Sequence, residues 1–229
     1  MPLLLGYTYR WWPPFLELRH RLQQRVLGPL RHARFVMSAH LADWHPWERY
    51  QDFFMASKER GGGALLDESH WIDLMLWFFG TPEAIMGRAE HLSALEITSD
   101  DNVDLLAIYP DDFRVSMHLD LYGRPHEKFV TIVGEEGTIQ CLIDPPLLRY
   151  SSDATEHWET TPFTCERNDM FVAEAREFLE LVARPGTGRL RCTIEDGVQA
   201  LRCVEAVRLS TQSDQLIRLG DVCCKVNVS

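Results

Sequence analysis

Between residues 84 and 143 apolar side chains recur at every second position, and that run constrains the fold more than any other feature of the chain. Segments 84–91, 103–109, 113–122, 128–133 and 138–143 all read as strands. They are separated by Asp111-Asp112, Gly123-Arg124-Pro125 and Gly134-Glu135-Glu136-Gly137, which are turn sequences. Strands joined by such short turns must run antiparallel, because a parallel neighbour needs a long crossover. Val115, Met117, Leu119 and Leu121 form one face of their strand; Ser116, His118, Asp120 and Tyr122 form the other.

Helical spacing flanks this run. Phe15, Leu18, Leu22 and Val26 share one face of a segment over 15–26 that Gly28-Pro29 stops. Residues 71–79 read as a helix ended by Gly80 and Pro82, and 169–182 and 195–210 as two more. In the first of those two, Phe171, Ala175, Phe178, Leu179 and Val182 make an apolar stripe. Residues 3–9, 31–40 and 216–219 read as extended, 41–60 as irregular and aromatic, and 221–229 as a tail. The expectation is an α+β domain: a mostly antiparallel open sheet with helices packed on one face. Residues 1–229 form one domain, with 1–12 admitted as a remnant of a preceding domain boundary. An open sheet face implies self-association into a homo-oligomer.

The net charge of −11 repels phosphate backbones and anionic lipid, so neither nucleic acid nor a membrane is an expected partner. No apolar run is long enough for a spanning helix, and Met1-Pro2-Leu3-Leu4-Leu5-Gly6 lacks the basic flank of a signal peptide. Cys141, Cys165, Cys192, Cys203, Cys223 and Cys224 show no zinc spacing, which fits reduced thiols and a cytoplasmic location.

Residues able to do chemistry gather around one segment, Gly61-Gly62-Gly63-Ala64-Leu65-Leu66-Asp67-Glu68-Ser69-His70-Trp71-Ile72-Asp73. The glycines let the backbone pass close to a ligand or another chain. His70 and Asp73 are three apart on one helix face, and Asp67 stands at the helix entrance, where a carboxylate caps free N–H groups. An imidazole between carboxylates has a raised pKa and exchanges protons near neutrality. Against this, geometry alone reads Asp67 as a helix cap, Asp73 as a surface or ion-pair residue and His70 as a structural hydrogen-bonder. Upstream, Trp44, His45, Trp47 and Tyr50 suit either the holding of a sugar or polyol or else core packing or a subunit contact. His40, Asp43 and His45 have no specific metal spacing, Lys58 reads as solvated, and Asp120 with Arg124 reads as a surface pair.

That glycine segment, with Gly6-Tyr7-Thr8-Tyr9-Arg10-Trp11 before it and Val130-Thr131-Ile132-Val133-Gly134-Glu135-Glu136-Gly137-Thr138-Ile139 after it, resembles the Gfo/Idh/MocA oxidoreductases (glucose–fructose oxidoreductase, inositol dehydrogenase). The resembling part is their C-terminal domain, of the dihydrodipicolinate reductase-like kind. The resemblance implies NAD or NADP as cofactor, a sugar, polyol or sugar acid as substrate, and His70 as the group that takes the hydroxyl proton. Arg10, Trp44, His45, Trp47, Tyr50, Asp67 and Asp73 are then expected around the substrate. Three departures stand out. No Gly-x-Gly-x-x-Gly turn occurs, the family's Glu-Lys-Pro lysine has no counterpart, and Asp67 precedes His70 by three residues where many members have four. The expected function is therefore the substrate and oligomerisation domain of a dehydrogenase, inactive without a nucleotide-binding domain. The alternatives are a non-catalytic carbohydrate-binding or scaffolding module and, disfavoured by ligand spacing, a metal-dependent lyase or hydrolase.

Overall fold

The structure, a computed structural model, describes residues 3–152, 157–184 and 188–222. Leu3 to Tyr7 have no regular structure and Thr8–Trp11 form a 3₁₀ turn, so the strand expected over 3–9 is not formed. The Leu5 amide bonds to the Cys192 carbonyl, but no ladder continues from it. Helix α1 (Pro13–Gln23) opens on two prolines, which suit a helix's first turn because its N–H groups lack partners anyway. It stops near Gln24, before Arg25 and Gly28 take positive φ. Strand β1 (Leu30–Ser38) follows, and then the aromatic stretch, which folds into short 3₁₀ turns ending at Lys58–Arg60. Helices α2 (Ala64–Asp67) and α3 (Ser69–Phe79) complete this half.

The strand run is β2 (Ala84–Glu90), β3 (Asn102–Ile108), β4 (Arg114–Asp120), β5 (Glu127–Gly134) and β6 (Gly137–Leu142). Strands β7 (Leu147–Ser151) and β8 (Glu159–Pro162) extend it beyond the expected run. Helices α4 (Arg167–Ala183) and α5 (Ile194–Ser213) and strand β9 (Ile217–Arg218) close the described fold. A capping box starts each long helix, Glu166 with Asp169 in α4 and Thr193 with Asp196 in α5.

Together they build a nine-stranded open sheet in the order β8-β7-β6-β5-β1-β4-β3-β2-β9. Here the short-turn argument meets a correction. β4 and β5 are joined by a short connection but do not pair, because β1 lies between them, parallel to β4 and antiparallel to β5. Every other pairing is antiparallel. Val103, Leu105 and Ala107 of β3 and Val115, Met117 and Leu119 of β4 point into one core with Phe35, Trp71 and Val207. Helices cover that face, α5 lying over β2 and α1 over β6 and β7. The opposite face carries Arg34, Met86, Leu106, Ser116 and His118 and is open.

The α4 stripe does not enter the core. Phe171, Leu179 and Val182 are 39%, 64% and 46% exposed, and Met170 is the helix's buried anchor. Among the described residues no helix is long and apolar enough to cross a membrane. Cys141, Cys165, Cys192 and Cys203 are free; Cys223 and Cys224 lie outside the described residues, as does all of the tail after Val222.

Candidate functional site

Gly62 and Gly63 shape the entrance to α2. A Cβ on Gly62 would run into the carbonyl oxygens of Phe54 and Met55, and one on Gly63, at φ +122°, into the Asp100 carboxylate. The close approach that these glycines allow is thus to their own chain. Asp100 caps the helix from a distance: its carbonyl accepts from the Ala64 amide at 2.9 Å and its Oδ2 from the Leu65 amide at 2.7 Å. Asp67, expected as the cap, closes α2 instead and turns into a cavity.

That cavity, of about 510 Å³, lies where the N-terminal ends of α3 and α4 converge on the loop after β1. Asp67, Glu68 and His70 line it together with Trp44, His45, Lys128 of β5 and Arg167 of α4. The Lys128 ammonium sits 5.7 Å from the centre of a Trp44 ring. A second chamber of about 580 Å³ adjoins the first and is largely apolar, with Trp12, Phe129, Leu142 and Ile143 in its lining.

Of the residues expected around a substrate, Trp44, His45, Asp67 and His70 therefore come together, and four do not. Trp47 is 75% exposed and stacks on the His45 ring at 5.3 Å. The Tyr50 hydroxyl accepts from the Glu96 amide at 3.2 Å, and its ring packs on the core. Arg10 and Asp73 are paired with each other, away from the cavity, through a fork of two hydrogen bonds. Asp120 and Arg124 do not pair either: Arg124 grips Asp43 at the cavity mouth with bonds of 2.7 and 2.6 Å, while Asp120 binds His118 and the Tyr122 and Gly123 amides.

The electrostatics differ from those expected for an imidazole between carboxylates. His70 has no carboxylate partner among the described residues; Tyr7 and Tyr9 meet its ring edge-on at 5.4 and 5.7 Å, and Nδ1 is buried with no hydrogen-bond partner within the protein. Burial, helped by the Arg167 charge, pushes its pKa down to about 4, so the ring is neutral at pH 7. The carboxyls move the other way. Burial raises Asp67 to about 6 and Glu68 to about 8, with Lys128 opposing both shifts. Glu68 accepts from the Trp71 indole at 3.1 Å. Asp67 and Glu68 thus have pKa values on either side of neutrality, while that of His70 lies well below it. Glu68 was missed from the sequence because its neighbours are supplied by the fold; Lys128 and Arg167 were missed because one lysine in a strand and one arginine at a helix start carry no local signal. Among the described residues no group of three or more His, Cys, Asp or Glu could hold a metal ion.

No residues here fit a dinucleotide by the glycine turn of a doubly wound domain. The sequence has no such turn, and the one parallel pairing among the described residues, β1 with β4, belongs to an otherwise antiparallel sheet.

Fold and cavity define an α+β open-sheet domain with a lateral ligand-sized cleft. The family model of the GFO/IDH/MocA C-terminal domain matches residues 15–140, more than half of the chain, and the chain belongs to that family. Solved structures of similar fold are oxidoreductases. One is levoglucosan dehydrogenase in complex with NADH and levoglucosan, 15% identical with a TM-score of 0.80, over 96% of this chain and 66% of that one. Another is an oxidoreductase from Agrobacterium radiobacter in complex with NAD+, L-tartaric acid and magnesium, 16% identical, TM-score 0.76, over 96% and 66%. A third is the WlbA dehydrogenase from Bordetella pertussis in complex with NADH and UDP-GlcNAcA, 18% identical, TM-score 0.69, over 95% and 63%. The chain thus spans just under two thirds of the length of the structures it matches. Among curated proteins, none matches the sequence.

Proposed function

We propose that this chain is the substrate-binding and oligomerisation domain of an NAD(P)-dependent oxidoreductase acting on a sugar, polyol or sugar acid, and that turnover needs a nucleotide-binding domain in addition. The observation that carries the reading is the convergence of His70, Asp67 and Glu68 on one cavity whose lining also includes Trp44 and His45. A neutral imidazole accepts a hydroxyl hydrogen bond, and a carboxyl titrating near neutrality takes or returns the proton that hydride transfer requires. The indole offers a flat face to a sugar ring. NAD or NADP enters through the family and its similar structures; the cofactor supplies hydride acceptance, and the residues described here orient the alcohol.

The exposed apolar stripe of α4 supports the need for a further domain. Phe171 belongs both to the stripe and to the cavity lining, so a domain covering α4 would also roof the site. Self-association rests on the open sheet face, where Met86 and Leu106 are about half-exposed in a groove of about 400 Å³ with Arg34, Arg88 and His118. Its check is sedimentation velocity, with a dimer or larger assembly expected and a strict monomer at high concentration counting against it.

Titration calorimetry with a panel of sugars, polyols and sugar acids tests the main reading. At least one ligand is expected to bind, with a ten-fold or greater loss in His70→Ala. A parallel titration with NADH, followed by nicotinamide fluorescence, is expected to show no saturable binding. Micromolar NADH binding, or an unaltered ligand affinity in His70→Ala, would overturn the assignment.

A further inference from the structure

Resting on the reading of the cleft as a substrate site, we propose that its substrate is anionic, and that a carboxylate or phosphate group sits between Lys128 and Arg167 where the two chambers meet. Five residues line both chambers: Tyr9, His126, Lys128, Arg167 and Met170. No carboxylate is among them, and each of the four polar side chains can donate a hydrogen bond. Neither cation is spent on a salt bridge among the described residues. Lys128 lies over Trp44 and Arg167 over Phe171, at 5.7 and 5.5 Å from the ring centres. Two cations that share the lining of both chambers, with no carboxylate between them, give an anion a seat at the waist of the cleft.

The rest of the cleft agrees. Asp43 is neutralised by the Arg124 fork, and His126 lies 3.5 Å from the same carboxylate. Glu68 is held largely protonated at neutral pH by burial, leaving Asp67 as the principal negative charge against Lys128 and Arg167. Glu127 and Asp144 are exposed and line only the second chamber. An oxyanion at the waist places a hydroxylated portion toward His70 and Asp67 and leaves the second chamber, lined by Trp12, Phe129, Leu142 and Ile143 as well as Glu127 and Asp144, for whatever the acid group links it to.

The test is binding to the full chain of D-glucose, D-glucuronate, D-glucose 6-phosphate and inorganic phosphate, followed by calorimetry and by tryptophan fluorescence. At least one of the two acidic sugars is expected to bind ten-fold or more tightly than D-glucose, with affinity falling as salt is raised. Lys128→Gln and Arg167→Gln are each expected to lose ten-fold or more, Lys128→Arg to keep most of the affinity, and Arg31→Gln, on the distant β1 end, to change nothing. Which acidic sugar binds tighter separates carboxylate from phosphate. Inorganic phosphate isolates the anion seat: if it binds and is lost in the two glutamine variants while no sugar binds, the seat stands and the polyol reading falls. If D-glucose binds as well as both acids, and the glutamine variants match wild type, the seat is overturned and the polyol reading stands. If nothing binds, both fall.

Discussion

Arg10 and Asp73 hold each other through two side-by-side hydrogen bonds, Nε to Oδ2 at 2.9 Å and Nη2 to Oδ1 at 2.7 Å, with side chains only 3% and 1% exposed. The pair ties the segment before α1 to α3, and Arg10 Nη1 adds a bond to the Arg191 carbonyl ahead of α5. Its work is to position three chain segments behind the cavity.

Removing Asp73 takes away the buried partner of Arg10 and leaves only the half-buried Asp196 carboxylate, at 3.2 Å, to balance its charge. Asp73→Ala is expected to cost about 3–5 kcal/mol, whereas the double change Arg10→Met with Asp73→Leu costs less than the single one. Urea unfolding of the single and double variants checks this. A cost for Asp73→Ala within about 0.5 kcal/mol of zero, the range of unremarkable surface changes, would mean the pair is not the tie the geometry indicates.

Glu68 makes stability depend on pH. Its pKa is raised from 4.5 to about 8 by burial, so its contribution is fully present below pH 4.5 and is lost as pH rises through about 8. Glu68→Gln keeps an acceptor for the Trp71 indole and cannot ionise. The Tm of Glu68→Gln minus that of wild type is expected to become more positive from pH 5 to pH 9. A difference independent of pH would show that Glu68 is not titrating in a buried place.

His118 acts on the other face of the sheet. Nε2 meets Asp120 at 3.0 Å and Nδ1 meets its register partner Asp104 at 2.7 Å. The Asp120 bond, with that to Asp104, outweighs burial and lifts the imidazole from 6.5 to about 9. A raised pKa gives stability that is complete below about 6.5 and lost as pH climbs through about 9. His118→Gln is expected to remove that fall in Tm between pH 7 and pH 10, and NMR titration of the imidazole is expected to place its midpoint well above 7. A midpoint at or below 6.5 would contradict the two-carboxylate clamp.

Gly63 combines φ +122° with the Asp100 carboxylate against its Cα. Gly63→Ala is expected to destabilise by about 1–3 kcal/mol from backbone strain alone, and by more once Asp100 is displaced from its cap. Gly61→Ala, where a Cβ would meet nothing within 4 Å but φ is +79°, is expected to cost less. Chemical denaturation ranks the two, and the reverse order would contradict the packing at this turn.

The sequence by itself determined the strand run from β2 to β6, the four longer helices and the buried faces of β3 and β4, though not β7, β8 or the irregular start over 3–9. Alternation over β3 and β4 and the 3.6-residue spacing of α3 are local patterns, readable without knowing what packs against them. The glycine segment likewise carried the family resemblance. Neighbours are another matter. A strand's pattern says which side is buried but not which strand lies beside it, so the insertion of β1 between β4 and β5 was invisible. The same holds for α4, whose apolar stripe faces outward, and for Arg10 with Asp73, partners 63 residues apart. The protonation of Glu68 and His70 was decided last of all. A pKa depends on the water excluded and the charges gathered by residues from across the chain, here Arg167 and Lys128, and that sum exists only once the tertiary structure has formed.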